Sequence, residues 1–373
     1  MPPVLIDLRT AEDPRDVVHR AVQAVVEGHL VAFPTETVYG LAVRARDGEA
    51  VERLLAVKHR AVGHPFALAV KSADEARDYV PAIGPLAWRL ARRCWPGPVT
   101  LVLDGDHPDS LLGHLPQATR RAVVPAGTVG LRVPAHPTIL DVLRMLTGPL
   151  VLTSANRSGE EESVTGRQVV EALGDDVDLV LDDGRCRFGR SSSVVRVWDD
   201  RFEVLREGVV PESTLRRLAS RLLLFVCTGN TCRSPMAEVL CKSLVARRLG
   251  CRIDELEERG ILIMSAGISA MTGSRASPEA VDVLARSGLD LSTHESQPVT
   301  RQLVQHADVI YTMTRSHRDA IVSEWPDVAE RCQQISADES DISDPIGGPP
   351  EVYHRCADQL AEQLAHRVAQ LDL

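Results

Sequence analysis

Aromatic side chains are scarce in this 373-residue chain, where phenylalanine, tryptophan and tyrosine together make up 3%. Surfaces that read single-stranded nucleic acid stack bases on such rings, so a stacking platform is not expected. A basic excess is lacking as well. The 42 lysines and arginines face 52 aspartates and glutamates, a formal net charge of −10, which argues against a generally basic nucleic-acid surface and leaves room only for a local patch. No segment approaches eighteen consecutive apolar residues, and the opening Met-Pro-Pro-Val-Leu-Ile lacks a basic region followed by a long apolar run. The expectation is a cytoplasmic protein with neither a membrane partner nor a secretory leader. Eight cysteines without a short-spaced framework fit a reduced compartment better than a disulfide scaffold or a zinc module. No metal-ligand cluster, internal repeat or low-complexity tract is visible.

What is present divides into two bodies. The chain is longer than one core usually supports, and 44% hydrophobic content supplies apolar material for two. A strand-like Phe202 to Leu205 gives way to Pro211-Glu212-Ser213-Thr214 and a short helical segment, so the boundary is placed between Gly208 and Ser220. That assigns residues 1–210 to one domain and 221–373 to another. Helical patterns such as Asp16 to Glu27 alternate with apolar strands at Leu30 to Phe33, Thr100 to Leu103 and Leu150 to Leu152, which predicts α/β architecture.

The most informative stretch is Phe225-Val226-Cys227-Thr228-Gly229-Asn230-Thr231-Cys232-Arg233-Ser234-Pro235. The run Leu222 to Val226 reads as a buried strand, Gly229 and Asn230 permit unusual backbone angles, and Pro235 opens a helix. Strand, loop and helix terminus then aim backbone N–H groups at one anion, an arrangement that favours a thiolate at Cys227. Arg233 offers a planar fork for two phosphoryl oxygens. The stretch resembles the low-molecular-weight protein tyrosine phosphatase family, whose signature is Cys-x5-Arg followed by Ser-Pro. Ser265-Ala266-Gly267, Thr293-His294-Glu295-Ser296, Ala307 to Met313 and Asp344-Pro345-Ile346-Gly347-Gly348 extend the likeness over 221–373. The resemblance implies a parallel sheet flanked by helices, no cofactor and a phosphorylated protein substrate. It further implies Cys227 as nucleophile, Arg233 as clamp and Asp344 as general acid and base. Thr228, Gly229, Asn230, Thr231, Cys232 and Ser234 would support the phosphate loop, with Cys232 as a reversible disulfide partner of Cys227. Thr231 resembles the protein-arginine phosphatase branch, whereas Ile346 stands where the family usually carries an aromatic residue. Phosphoarginine and phosphotyrosine both stay open.

In the first body, Phe33-Pro34-Thr35-Glu36-Thr37-Val38-Tyr39-Gly40-Leu41, Lys58-His59-Arg60, Trp95-Pro96-Gly97-Pro98-Val99-Thr100 and Leu152-Thr153-Ser154-Ala155-Asn156 stand out. On extended segments, Lys58 and Arg60 would share a face toward a polyphosphate, and Ser154 with Asn156 would offer a hydroxyl and an amide. Together with Gly130 to Pro134 and Ser191 to Val195, these motifs resemble the YrdC-like threonylcarbamoyl-AMP synthase family, over residues 5 to 210. The resemblance implies a twisted, open α/β sheet and a reaction joining L-threonine, bicarbonate and ATP, with Mg²⁺ accompanying ATP. The product would serve tRNA modification, with tRNA or tRNA-modification proteins as candidate partners. Thr35 would border the threonine site; Lys58, Arg60, Thr153, Ser154, Asn156 and Ser193 would line the nucleotide site, with Arg132 contacting threonine or phosphate. Ala61, His64-Pro65-Phe66 and Ala69 depart from the family pattern. They keep open a YciO-like nucleotide- or RNA-binding module without tRNA-modification activity.

Overall fold

Short polar residues start several helices of the first half of the chain. Asp13 accepts the Arg15 amide at 2.8 Å ahead of a helix over Pro14–Val26, and Asp47 accepts the Ala50 amide at 3.0 Å ahead of one over Gly48–Lys58. Each cap satisfies a donor that the first helical turn leaves orphaned. The computed structural model describes residues 2–59 and 65–371. It divides the chain into two units, 1–218 and 219–373.

Ten strands make the sheet of the first unit: β1 (Val4–Asp7), β2 (Val31–Phe33), β3 (Gly40–Arg44), β4 (Ala67–Ala69), β5 (Val99–Asp104), β6 (Thr128–Arg132), β7 (Leu150–Ser154), β8 (Leu179–Asp182), β9 (Ser193–Trp198) and β10 (Arg201–Arg206). Their order in space is β1-β8-β2-β3-β7-β4-β6-β5-β9-β10, an open α/β sheet in which parallel and antiparallel neighbours mix. β3 runs antiparallel to β7 and sets Gly40 opposite Ser154, so two motifs more than a hundred residues apart become neighbours. One face packs Val17, Ala21 and Val25 of the first helix against Ile139, Val142 and Leu143 and the strand residues Phe33, Leu150 and Leu181. Each such side chain, fully buried, contributes about 1.5 to 3 kcal/mol.

The second unit has four parallel strands, β11 (Arg221–Cys227), β12 (Ile261–Gly267), β13 (Val309–Thr312) and β14 (Cys332–Gln334), in the order β12-β11-β13-β14. Helices cover both faces. Leu223, Phe225 and Cys227 of β11 pack with Met236, Cys241, Leu360 and Leu364, whereas Leu222, Leu224 and Val226 pack with Val304 and Ile321 on the other side. A strand buried on both faces reads as an unbroken apolar run, which is why this one was visible in the sequence. The helix after the Cys227 loop spans Arg233–Leu249 and begins two residues before the expected Pro235. Among the described residues, no helix is long and apolar enough to cross a membrane.

Candidate active sites

β11 carries Cys227 to its C-terminal end, and the chain must turn sharply to start the helix at Arg233. Asn230 makes the turn with φ 55°, a left-handed conformation that asparagine tolerates better than most residues. Gly267, at the end of β12, lets the turn settle: a Cβ there would come within 2.5 Å of the Thr228 carbonyl oxygen and 2.9 Å of the Asn230 nitrogen, too close for any other residue without a shift.

The loop is wired to the sulfur. The Asn230 backbone N–H donates to Cys227 Sγ at 3.2 Å, and Ser234 Oγ lies 3.0 Å from the same atom. The Asn230 side-chain amide donates to Ser234 Oγ at 3.0 Å and to Ser265 Oγ at 2.9 Å, and the Ser265 hydroxyl donates to Glu238 at 2.6 Å. From the opposite side the Gln297 N–H donates to Asn230 Oδ1 at 2.9 Å, and His294 Nε2 sits 2.8 Å from the Asn230 carbonyl oxygen. Asn230 and Ser234 thereby hold the shape of the loop and stand beside the sulfur.

Arg233 is buried, and both ends of its fork are engaged. Nη2 donates to Asp344 Oδ2 at 2.5 Å and Nη1 to the Ile342 carbonyl at 3.2 Å. The structure therefore brings Cys227, Arg233 and Asp344 into one place across 117 residues of sequence. These two bonds use two of the five guanidinium N–H groups, so the fork can still meet a phosphoryl group while it holds the Asp344 carboxyl beside the loop. Thr228 Oγ1 lies 2.9 Å from His317 Nε2. Burial first, and then the nearby Arg233 guanidinium, push the His317 imidazole down to about 4, so it is neutral at pH 7.

All eight cysteines are free thiols. Cys232 Sγ donates to Ser277 Oγ at 3.4 Å and lies 3.8 Å from the Tyr353 hydroxyl. Gly229 and Thr231 are half-buried on the loop, with Thr231 Oγ1 3.7 Å from Cys232 Sγ. Met271 (79%) and Ile346 (67%) are the most exposed large hydrophobic residues of the second unit, and its four aromatic residues, Phe225, Tyr311, Trp325 and Tyr353, are buried or half-buried. The Ile268 amide donates to the Cys227 carbonyl and the Ser269 amide to the Thr228 carbonyl, which places the segment leading to Met271 beside the loop.

In the first unit, the Lys58 ammonium donates to the Ser154 carbonyl at 2.9 Å, to Asn156 Oδ1 at 3.1 Å and to the Asn156 carbonyl. The Ser154 hydroxyl donates to Asn156 Oδ1 at 2.6 Å. Thr153 stands half-buried one residue earlier on β7. The three expected neighbours do converge, but Lys58 does not lie on an extended segment. It closes the helix Gly48–Lys58, and His59 caps it with φ 42°, because the amphipathic pattern from Asp47 onward continues through Lys58. Arg60 lies outside the described residues, as do Ala61 and His64.

Thr35 borders a cavity of about 370 Å³ with Glu36, Gly97, His136, Arg185, Cys186, Arg187 and Phe188. Its hydroxyl donates to the Val38 carbonyl at 2.6 Å. Arg132 turns out to be a brace. Its Nη2 donates to Glu36 at 2.6 Å and to Thr37 Oγ1 at 2.9 Å, and its Nε to the Gly97 carbonyl at 3.2 Å, in an ion pair with both side chains buried. Ser193 opens β9. It is fully buried, and its hydroxyl donates to the Val210 carbonyl at 2.7 Å while accepting the Gly208 and Val210 amides. Its proton and both lone pairs are thereby committed to the strap at 208–210.

Sequence reasoning missed Glu36 as the partner of Arg132, the Arg185-Cys186-Arg187-Phe188 wall and His317. The wall carried no motif, yet the amides of Phe188 and of Gly189 just after it donate to the carbonyls of Glu36 and Thr37. Glu36 was inside a motif already in hand, and a buried acid next to threonines was the signal that a basic partner must exist.

Comparison with known proteins places each unit. Residues 23–208 match the Sua5/YciO/YrdC family model, described as telomere recombination, and residues 222–372 match the low molecular weight phosphotyrosine protein phosphatase model. A protein-arginine-phosphatase of Bacillus subtilis is 35% identical over 153 residues, covering 40% of this chain and 95% of that protein. A threonylcarbamoyl-AMP synthase of Mus musculus is 30% identical over 223 residues, covering 58% of this chain and 75% of that protein. A Pyrococcus abyssi protein of the same name is 32% identical over 198 residues, but the chain spans only 55% of its length. The crystal structure of P. abyssi Sua5 complexed with L-threonine superposes with a TM-score of 0.52 at 22% identity, over 71% of this chain and 92% of that one, a likeness that shows the fold alone.

Proposed function

The chain belongs to the Sua5/YciO/YrdC family through residues 23–208 and to the low-molecular-weight protein phosphatase family through residues 222–372, and from that premise we propose that it is a bifunctional enzyme. The first unit makes threonylcarbamoyl-AMP from L-threonine, bicarbonate and ATP, for threonylcarbamoyl modification of tRNA. The second removes phosphoryl groups from protein side chains, with phosphoarginine preferred to phosphotyrosine.

In the second unit the Cys227 thiolate attacks phosphorus while the Arg233 fork and the loop amides take the equatorial oxygens. Asp344 gives its proton to the departing nitrogen or oxygen, then accepts one from the water that cleaves the phosphocysteine. The observation that carries this reading is the convergence of Cys227, Ser234, Arg233 and Asp344 around a single loop. Asp344→Asn is expected to slow phosphocysteine formation, read as the burst of leaving group, about 100-fold with a phosphotyrosine-like ester and far less with an activated aryl phosphate, because the latter leaves without a proton. Equal losses on the two substrates would reduce Asp344 to a loop residue.

The preference for phosphoarginine is supported by Thr231, which stands half-buried in the phosphate loop. Likeness to a protein-arginine-phosphatase points the same way. Thr231→Ile crowds a wide guanidinium more than a flat phenol and is expected to move the ratio of kcat/KM values toward phosphotyrosine by about 10- to 200-fold. Measuring both substrates with both proteins decides it; a wild type that favours phosphotyrosine and a ratio untouched by the substitution would hand the site to tyrosine.

In the first unit the threonine amine and bicarbonate give a carbamate and water, the carbamate oxygen attacks the α-phosphorus of ATP, and pyrophosphate departs. Among the described residues no group of three His, Cys, Asp or Glu is placed to hold a metal ion, so magnesium is assigned to the substrate as Mg-ATP, where phosphate oxygens and water are its usual ligands. The Lys58, Ser154 and Asn156 cluster supports this assignment by setting a buried cation and two polar side chains at the end of β7. Incubation with ATP, threonine and bicarbonate, following pyrophosphate and the adenylate product, tests it.

A further inference from the structure

The Cys227 loop has two limbs, and the backbone carbonyls of Cys227 and Thr228 on the first accept the Ile268 and Ser269 amides. The Asn230 limb is held by Ser234, Ser265, His294 and Gln297. The Thr228 limb meets His317 of the helix Arg315–Glu324, with Thr228 Oγ1 2.9 Å from Nε2. The other ring nitrogen of His317, Nδ1, lies 2.8 Å from Thr314 Oγ1, and that oxygen also accepts the His317 amide at 3.3 Å as the helix cap. His317 is only 7% exposed, so both ring nitrogens are committed inside the protein.

The turn that carries Thr314 is also the mooring of the acid-bearing loop. The Arg315 amide donates to Asp341 Oδ1 at 2.8 Å, and the Ile342 amide donates to the Met313 carbonyl at 2.8 Å. Ile342 in turn accepts from Arg233, and Asp344 follows two residues later. Hydrogen bonds therefore run from Thr228 through His317 to Thr314, and the chain neighbours of Thr314, Met313 and Arg315, carry the connection to the segment that presents Asp344. We propose that His317 is a positioning residue that ties the nucleophile loop to the acid loop, so that the Cys227 sulfur and the Asp344 carboxyl keep a fixed separation during proton transfer to the leaving group. The proposal rests on the phosphatase reading of this site and extends it to a residue outside the Cys227 loop. A methyl-lined cavity in place of the imidazole would leave the loop closed around phosphate through the Asn230 limb, but would let the acid loop drift. An ångström of misplacement is enough to lose about 100-fold in such steps.

The test uses the full chain and four variants: His317→Ala, His317→Gln, Thr228→Val and the double variant Thr228→Val/His317→Ala. On a phosphotyrosine-like ester, His317→Ala and Thr228→Val are each expected to slow phosphocysteine formation, read as the burst of leaving group, about tenfold with KM within about twofold, and the double variant to be no worse than the poorer single one. On an activated aryl phosphate the losses shrink to about twofold, since no proton has to be delivered. His317→Gln, whose amide nitrogen reaches the place of Nε2, is expected to recover most of the rate. Losses that multiply to about 100-fold in the double variant, equal losses on both esters, or a glutamine variant as poor as alanine would each overturn the tether. Orthovanadate binding separates the two layers of the argument. Wild type that binds vanadate and hydrolyses ester, beside variants that match it in the rate of that burst, sinks the role of His317 alone; wild type that does neither sinks the phosphatase reading with it.

Discussion

Cys227→Ser is expected to abolish phosphatase turnover while leaving threonine- and bicarbonate-dependent pyrophosphate release within about twofold of wild type. The serine hydroxyl would keep the place of the sulfur among Asn230 and Ser234, so the loop has no reason to collapse. What is lost is the nucleophile: an alkoxide at neutral pH is far scarcer than a thiolate. A fall of at least about 10,000-fold, or roughly 5 kcal/mol of transition-state stabilisation, is the scale for removing a covalent nucleophile. The independence of the other activity follows from the division of the chain into two units, each with its own sheet and core. Side-by-side assays of one purified preparation decide the matter. Parallel loss of both activities would mean that the two sites are not separate.

How much of this could be read from the sequence depended on how local each feature is. Strand, loop and helix around Cys227 lie within about a dozen residues, and their apolar run, glycine and proline are direct signals of backbone shape. Asp344 was legible only through family resemblance, since an aspartate before proline is by itself an ordinary turn. His317 was not legible at all: it meets Thr228 across 89 residues, and one histidine in Ser316-His317-Arg318 has no periodicity to betray it. The first unit divides in the same way. The motifs at Thr35 and Ser154 were each visible, but the register that sets Gly40 opposite Ser154 is a property of the sheet. Lys58 was placed on an extended segment because a basic pair two residues apart suggested one face of a strand. The helical pattern from Asp47 was the stronger evidence, as hydrogen bonds to a cap and a buried stripe outweigh a two-residue spacing. Ser193 is a different case. A hydroxyl in a serine-rich turn reads equally well as ligand or strut, and only the positions of Gly208 and Val210 show that its bonds are already made.

Lys58→Met is expected to reduce threonine- and bicarbonate-dependent pyrophosphate release by about 100- to 1,000-fold, the usual cost of removing one preorganised positive or hydrogen-bonding group from a charge-stabilising site. Methionine keeps much of the buried stem and removes the ammonium, so the loss reports on charge and hydrogen bonds more than on a cavity. Two consequences then arise together. The Ser154 and Asn156 carbonyls and Asn156 Oδ1 lose the donor that gathers them, which lets the turn after β7 relax, and the developing negative charge at the triphosphate loses a nearby cation. Leaving one buried acceptor unsatisfied costs about 1 to 3 kcal/mol, so thermal unfolding of the first unit should shift downward as well. The fused phosphatase supplies an internal control, because its turnover measures the concentration of intact second unit in the same tube. Retained pyrophosphate release in the variant would remove Lys58 from the site. Absence of that release in the wild type, with nucleotide binding intact, would turn the first unit into the YciO-like binding module and leave the phosphatase as the activity of the chain.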